Sequence, residues 1–335
     1  MTPDRRPAVV DTLPRSLYLE ATNRCDSRCQ TCVRTFRALE PPADLTLARV
    51  REVVEPLPRL DRVVLHGIGE PLLNREIFEI VAHLKARAAT VVFNSDAISL
   101  TAPRAERLIA SGLDEYRVSM DAATRATYRM LRGVDQFDRV VTNVTRLVAR
   151  MRAQGRTTPR VSLWFTASRA NLEELPAFVQ LAATMGVGEV YTQRLVFNGL
   201  GLATETNSLH ARLQARERAL LEQAETLGRS LGVSLAASGL TTPLASFGGS
   251  PADTRHWAGC QRPWTLSYIT ANGNVLPCCI SPWVARDYEA LVLGNVFSEP
   301  FAAIWNGERY QRFRTEFEGG APPDPCRGCG LRWSI

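Results

Sequence analysis

The stretch "CDSRCQTC" at residues 25–32 follows the β-like run "SLYLEATNR" at 16–24 and gathers three of the chain's eight cysteines into one short loop. Its spacing, C-x3-C-x2-C, lets Cys25, Cys29 and Cys32 wrap a single centre. A structural zinc site takes four protein ligands, and no further cysteine or histidine stands nearby to complete one. A four-iron cluster held by three thiolates keeps one iron open to another ligand. Chance clustering of thiols, or a zinc site completed from afar, are the competing readings.

Outward from this loop, β-rich runs alternate with amphipathic helical patterns as far as Phe197. The runs are "SLYLEA", "RVVLHG", "TVVFNS", "EYRVSM", "VSLWFT" and "EVYTQRLVF". Six such units predict an α/β fold with a parallel sheet or an open barrel. After the fifth run, Asn171 and Glu174 have the spacing of a capping box. Leu172, Leu175, Phe178, Val179 and Met185 form an apolar stripe, and Gly186 can close the helix. Ligands in such folds gather at the C-terminal ends of the strands, where the cysteine loop also lies.

A helical stretch from about Asn207 to Leu231 leads to the Gly/Ser/Pro-rich "SFGGSPADT" at 246–254, the best linker in the chain. The expected organisation is a tail over 1–15, a core domain over 16–235, a linker over 236–255 and a smaller α+β domain over 256–335. In that last unit "WTLSYITANGNVLPCC" reads as a hairpin around "ANGN", followed by a helical run and a terminal "CRGC".

With 45% apolar and 22% charged residues, the 335-residue chain has ordinary globular composition and a length suited to about two domains. Its net charge of +6 comes almost wholly from arginine, with Lys85 the only lysine. The arginines are scattered, without a basic arm or interleaved aromatics, so no nucleic acid is expected as a partner. No apolar stretch approaches the roughly 18 residues of a membrane span, and the N-terminus lacks a signal-like apolar region. The expected location is the cytoplasm, where clustered thiols hold metal rather than pair as disulfides.

Further markers follow in order: "HGIGEPLLN" at 66–74, "FNSD" at 93–96, "VSMDA" at 118–122 and "TYRMLRG" at 127–133. Together with the cysteine spacing they resemble the radical S-adenosylmethionine (SAM) enzymes, from about Ser16 to the C-terminus. The resemblance implies a partial (β/α)6 TIM-like barrel in which Cys25, Cys29 and Cys32 hold a [4Fe–4S] cluster whose open iron chelates SAM. Reductive cleavage then gives a 5′-deoxyadenosyl radical that abstracts hydrogen from an unactivated C–H bond, chemistry that belongs to the cofactor. It implies that Gly69 and Glu70, through backbone oxygens and a carboxylate, receive the SAM ammonium group. Asn94 and Ser119 match contacts to its sugar or carboxylate, and Arg132 and Asp121 are further polar candidates. Thr31 stands where many members carry an aromatic beside the adenine, so adenine must pack elsewhere. His66 lies at the same mouth, as a structural hydrogen-bonder or as an acid or base.

Five cysteines remain. The spacing C-x12-G-x4-C from Cys260 through Gly273 to Cys278 resembles the opening of the SPASM extension of these enzymes. With only a terminal C-x2-C left, the resemblance is to a shortened, twitch-like form with one auxiliary [4Fe–4S] cluster on Cys260, Cys278, Cys326 and Cys329. Spacing alone suits tetrahedral zinc equally well. If Cys278 faces the cluster from a strand, Cys279 points to the opposite face, either toward the active site as a hydrogen-atom donor or into packing as a buried thiol.

The expected function is therefore a radical SAM oxidoreductase that dehydrogenates or epimerises a small polar substrate, of sugar, aminocyclitol or nucleoside type, in natural-product biosynthesis. Flavodoxin or ferredoxin would supply the electron. Only about fifteen residues precede the first strand, too few for a leader-binding domain, which points away from a ribosomal peptide. The alternatives are a radical SAM enzyme that modifies a ribosomal peptide or decarboxylates its substrate, and a non-catalytic iron–sulfur or zinc protein.

Overall fold

Each of the six β-like runs forms a strand in the computed structural model, which describes residues 6–248, 257–284, 286–327 and 329. They are β1 (Ser16–Leu19), β2 (Arg62–Leu65), β3 (Thr90–Ser95), β4 (Glu115–Ser119), β5 (Arg160–Ala167) and β6 (Glu189–Arg194), joined in that order and all parallel. Side chains alternate across the sheet. Leu17, Leu19, Val63, Leu65, Tyr116, Val118, Leu163 and Phe165 have no exposed surface and pack beneath the covering helices. The other face carries polar and aromatic groups, where Trp164 stacks on Tyr191 at 4.2 Å and Arg117 lies 4.5 Å above the Trp164 ring. The core is that of a partial barrel closed by helices on its outside.

The sheet extends beyond the six strands on both sides. β7 (Ser234–Ala237) adds parallel to β6, and β8 (Leu266–Ile269) adds parallel to β1. β9 (Asn274–Leu276) and β10 (Gly294–Asn295) complete an antiparallel meander on β8, giving the order β10-β9-β8-β1-β2-β3-β4-β5-β6-β7. The hairpin expected around "ANGN" is therefore present. Gly273 takes φ 84° in its turn, and a Cβ there would lie 2.6 Å from the Phe297 ring.

Several expectations are corrected. Residues 236–248 are not a linker. Ala237 belongs to β7, Thr242 caps the helix Pro243–Phe247, and Phe247 is fully buried. The rest of the expected linker, and the start of the small domain at 256, lie outside the described residues. Described tail residues pack on the C-terminal domain. Arg6 pairs with Glu318 and donates to the Cys260 carbonyl at 2.6 Å, and the buried Arg314 donates to the Ala8 carbonyl at 2.9 Å.

The helix expected from about 207 starts only at Ala215, where Gln214 and Glu217 form a capping box, and runs to Leu231. Asn171 and Glu174 form no such box. Glu174 accepts from the Ala123 and Thr124 N–H groups at 2.7 and 3.0 Å, and the Asn171 amide donates to the Asp121 and Thr166 carbonyls at 2.9 and 3.0 Å. Buried backbone at the ends of β4 and β5 has claimed both side chains. The apolar stripe and the Gly186 closure, at φ 76°, are as expected. No helix among the described residues is long and apolar enough to cross a membrane.

The join between barrel and C-terminal domain centres on Glu20, which is 2% exposed. Its carboxyl accepts from the Tyr268 hydroxyl at 2.8 Å and from the N–H groups of Ile68 and Ala271 at 2.9 and 3.1 Å. Burial raises its pKa from 4.5 to about 7 against those donors. The folded state thus holds this proton more tightly than the unfolded chain. Stability linked to Glu20 is full below pH 4.5 and lost as pH rises through about 7. Tyr268→Phe removes a donor to the charged form, so it should lower stability in urea denaturation by about 1–2 kcal/mol at pH 8 and by less at pH 5. Equal losses at both pH values would contradict this assignment.

Candidate active site

The cysteine loop is shaped by contacts from several directions. The short helix Val33–Phe36 begins right after Cys32 and carries Arg34, whose guanidinium donates to the carbonyls of Asn23, Cys25 and Ser27 at 3.0, 3.2 and 3.4 Å. The helix Arg125–Arg132 ends at Gly133 with φ 67°, and a Cβ there would lie 2.3 Å from the Arg28 carbonyl. This close approach lets the Arg28 and Gln30 N–H groups donate to the carbonyls of Arg132 and Leu131 at 3.0 and 2.7 Å. After β2, Gly69 presses on the start of the loop, where a Cβ would lie 2.1 Å from the Thr22 carbonyl, and the Glu70 N–H donates to the Arg24 carbonyl at 2.8 Å. The chain after β6 adds a 2.7 Å bond from the Leu202 N–H to the Gln30 carbonyl.

Cys25, Cys29 and Cys32 all line one cleft at the C-terminal ends of the strands. Burial pushes all three thiols up. Asp96 and Glu70 add to this at Cys25, while Cys32 rises to about 12 with Cys29 as the second cause. Metal loading must therefore displace protons from them. Among the described residues, no three thiol sulfurs lie mutually within 4.8 Å. A tetrahedral zinc with Zn–S of about 2.3 Å needs sulfurs about 3.8 Å apart. Three thiolates in one loop leave a position open, which suits a four-iron cluster with one free iron better than a structural zinc site, which takes four protein ligands.

The same cleft brings together Gly69, Glu70, Asn94, Ser119, Asp121, Arg132, Thr31 and His66. Two of these have buried polar atoms without a protein partner, Asn94 Oδ1 and Arg132 Nε, so an acceptor and a donor remain for a ligand. Arg132 is oriented by Asp121, whose Oδ2 takes its Nη1 at 2.9 Å and whose Oδ1 takes the Thr166 N–H at 2.7 Å. The Glu70 carboxylate accepts from the Leu72 N–H at 2.9 Å, the Ser95 hydroxyl at 2.8 Å and the Asp96 N–H at 2.7 Å, so its side chain braces the end of β3 while the residue lines the cleft. His66 sits edge-on to Tyr18, and burial with the Arg117 charge lowers its pKa to about 4, so it is neutral and suited to hydrogen bonding.

Sequence reasoning missed part of the lining. Thr166, Gln193, Leu195 and Val196 come from the ends of β5 and β6, and Ile280 and Trp283 come from the C-terminal domain. The first four stand at strand ends, a signal that was readable. The last two reach the cleft only because β8 pairs with β1.

In the C-terminal domain, burial raises the Cys326 thiol, and the thiols of Cys278, Cys260 and Cys329 are the further causes, which places the four together. Cys279 does not line the cleft. It is 5% exposed, with its thiol raised to about 11 by burial and hydrogen-bonded to Tyr18. The expectation that it faces the active site assumed a strand, but β9 ends at Leu276 and the cysteine pair lies in the turn beyond, where alternation does not apply.

The sequence matches the Radical SAM superfamily over residues 19–160 and the SPASM iron–sulfur cluster-binding domain over 260–330. It is similar to the PqqA peptide cyclase of Xanthomonas campestris pv. campestris, with 26% identity over 95% of this chain and 80% of that one. A second relative is the pre-heme d1 synthase of Dinoroseobacter shibae, with 24% identity over 90% of this chain and 76% of that one. The fold is shared with Streptococcus suis SuiB, solved bound to S-adenosylmethionine, at TM-score 0.66 and 16% identity over 91% of this chain and 68% of that one. The two domains imply S-adenosylmethionine and two [4Fe–4S] clusters, one that binds it and one auxiliary. The chain belongs to the radical SAM superfamily and carries a SPASM iron–sulfur cluster-binding domain.

Proposed function

We propose that this protein cleaves S-adenosylmethionine reductively and abstracts hydrogen from a residue of a peptide substrate, as a cytoplasmic enzyme supplied with electrons by a carrier protein. The observation that carries the substrate class is the similarity to a peptide cyclase along nearly the whole chain. The expectation of a small sugar-like substrate rested on the two cysteine groups and on the short segment ahead of β1, residues of which pack on the C-terminal domain.

In this reading Cys25, Cys29 and Cys32 hold the SAM-binding cluster, and Gly69, Glu70, Asn94, Ser119 and Arg132 hold SAM itself. The bound pair supplies a 5′-deoxyadenosyl radical. Arg132 Nε and Asn94 Oδ1 are the unpartnered donor and acceptor suited to the polar ends of SAM. Leu195, Val196, Ile280 and Trp283 offer the apolar surface for adenine and substrate that Thr31 does not. Cys260, Cys278, Cys326 and Cys329 enclose the auxiliary cluster, and four protein thiolates leave it no open iron, which suits electron transfer better than substrate ligation.

Two measurements test this. Anaerobically purified protein should contain about eight irons, falling to about four in the Cys25→Ala/Cys29→Ala/Cys32→Ala variant with loss of SAM cleavage. About four irons plus one zinc in the parent would remove the auxiliary cluster from the account. Separately, 5′-deoxyadenosine formation should rise above its substrate-free background with peptides encoded beside the gene, with hydrogen transferred from the peptide. A rise with aminocyclitols or sugars alone would reverse the substrate class.

A further inference from the structure

Behind the cleft wall lies a hydroxyl that the chemistry proposed for the site does not use. Tyr128 is fully buried in the helix Arg125–Arg132, and its hydroxyl has no hydrogen-bond partner among the described residues. A buried phenol ordinarily finds an acceptor, because taking an unpaired hydroxyl out of water is costly. The ring packs edge-on against Phe137, with centroids 5.9 Å apart, which limits its freedom to turn away.

Three observations set this hydroxyl beside Cys29. Tyr128 stands four residues before Arg132, so the two share a helix face, and Arg132 lines the cleft. The carbonyls of Leu131 and Arg132, at the end of the same helix, take the N–H groups of Gln30 and Arg28, the residues on either side of Cys29. Burial raises the Tyr128 phenol above its usual range, and the groups that act on it after burial are Arg132, Asp96, Cys29 and Asp121, all of which line the cleft. None of the four accepts its proton in this structure. The loop already directs one donor at a thiol, since the Ser27 N–H reaches Cys25 Sγ at 3.4 Å. No side chain among the described residues does the same for Cys29 Sγ.

We propose that the Tyr128 hydroxyl donates a hydrogen bond to the SAM-binding cluster at the Cys29 corner and so sets that cluster's reduction potential; the inference rests on the assignment of Cys25, Cys29 and Cys32 to this cluster. A donor at a cluster sulfur stabilises the extra negative charge of the reduced state, which raises the potential and eases delivery of the electron. The proton stays on the phenol oxygen, and no covalent bond changes. Tyr128 does not itself line the cleft, so it acts through the cluster and not on SAM or substrate.

The test is a redox titration of the holoenzyme followed by electron paramagnetic resonance, with the SAM-binding cluster recognised by the change that SAM makes in its signal. In Tyr128→Phe the reduction equilibrium of that cluster should shift about tenfold toward the oxidised form, a fall of about 59 mV, while the auxiliary cluster keeps the parent potential. Replacement of Tyr128 by 3-fluorotyrosine keeps the shape of the ring and makes its hydroxyl a stronger donor, so the potential should instead rise above that of the parent. This second protein decides the matter if Tyr128→Phe fails to hold its iron. Parent potentials in both proteins would overturn the proposal and leave the hydroxyl to a buried water. An equal shift of the two clusters would also overturn it, because a change in the fold and not one hydrogen bond would then be the cause. A reduced-cluster signal in the parent that does not respond to SAM would overturn the cluster assignment beneath the proposal, and it is visible before any variant is made.

Discussion

Arg34 donates to three backbone carbonyls of the loop that carries Cys25, Cys29 and Cys32, and the site depends on this clamp. A loop of eight residues has too many conformations to hold three thiols ready for one centre without outside constraint. Gly69 and Gly133 supply the rest, each admitting the loop's backbone to a distance that a side chain would block. Both stand next to the strand-end and helix-end residues that line the cleft, so fixing the loop also places Glu70 and Arg132 beside it. The thiols, the orphaned atoms of Asn94 and Arg132, and the brace around Glu70 are consequences of one packing arrangement.

The first strand connects this arrangement to the second cysteine group. β1 pairs with β2 on one side and with β8 on the other, and Glu20 bonds directly to Tyr268 and Ala271 across the join. A shared sheet is stiffer than a linker, which explains how Ile280 and Trp283, far along the chain, form part of the cleft wall. It also explains why Cys279 is buried between the two units against Tyr18 rather than open to the cleft.

Much of this was legible in the sequence because it is local. The spacing of Cys25, Cys29 and Cys32 and the six β-runs depend on residues a few positions apart, and the strand-end positions Asn94 and Ser119 follow once the runs are placed. What was not legible depends on long-range pairing. Asn171 and Glu174 have the spacing of a local cap, yet buried carbonyl and N–H groups some fifty residues away take them up. The Glu70 carboxylate takes Ser95 and Asp96 as partners, some twenty-five residues away, which its own neighbours do not announce. The parallel pairing of β8 with β1 has no signature in either segment, and with it go the roles of Glu20, Ile280 and Trp283.

The most direct test of the central claim is the iron content and electron paramagnetic resonance of an Arg34→Met variant, purified anaerobically. The clamp account predicts loss of about four of eight irons and of the SAM-responsive cluster signal, with the auxiliary cluster and the circular dichroism of the fold retained. A full complement of iron, with both cluster signals and SAM cleavage unchanged, would contradict it.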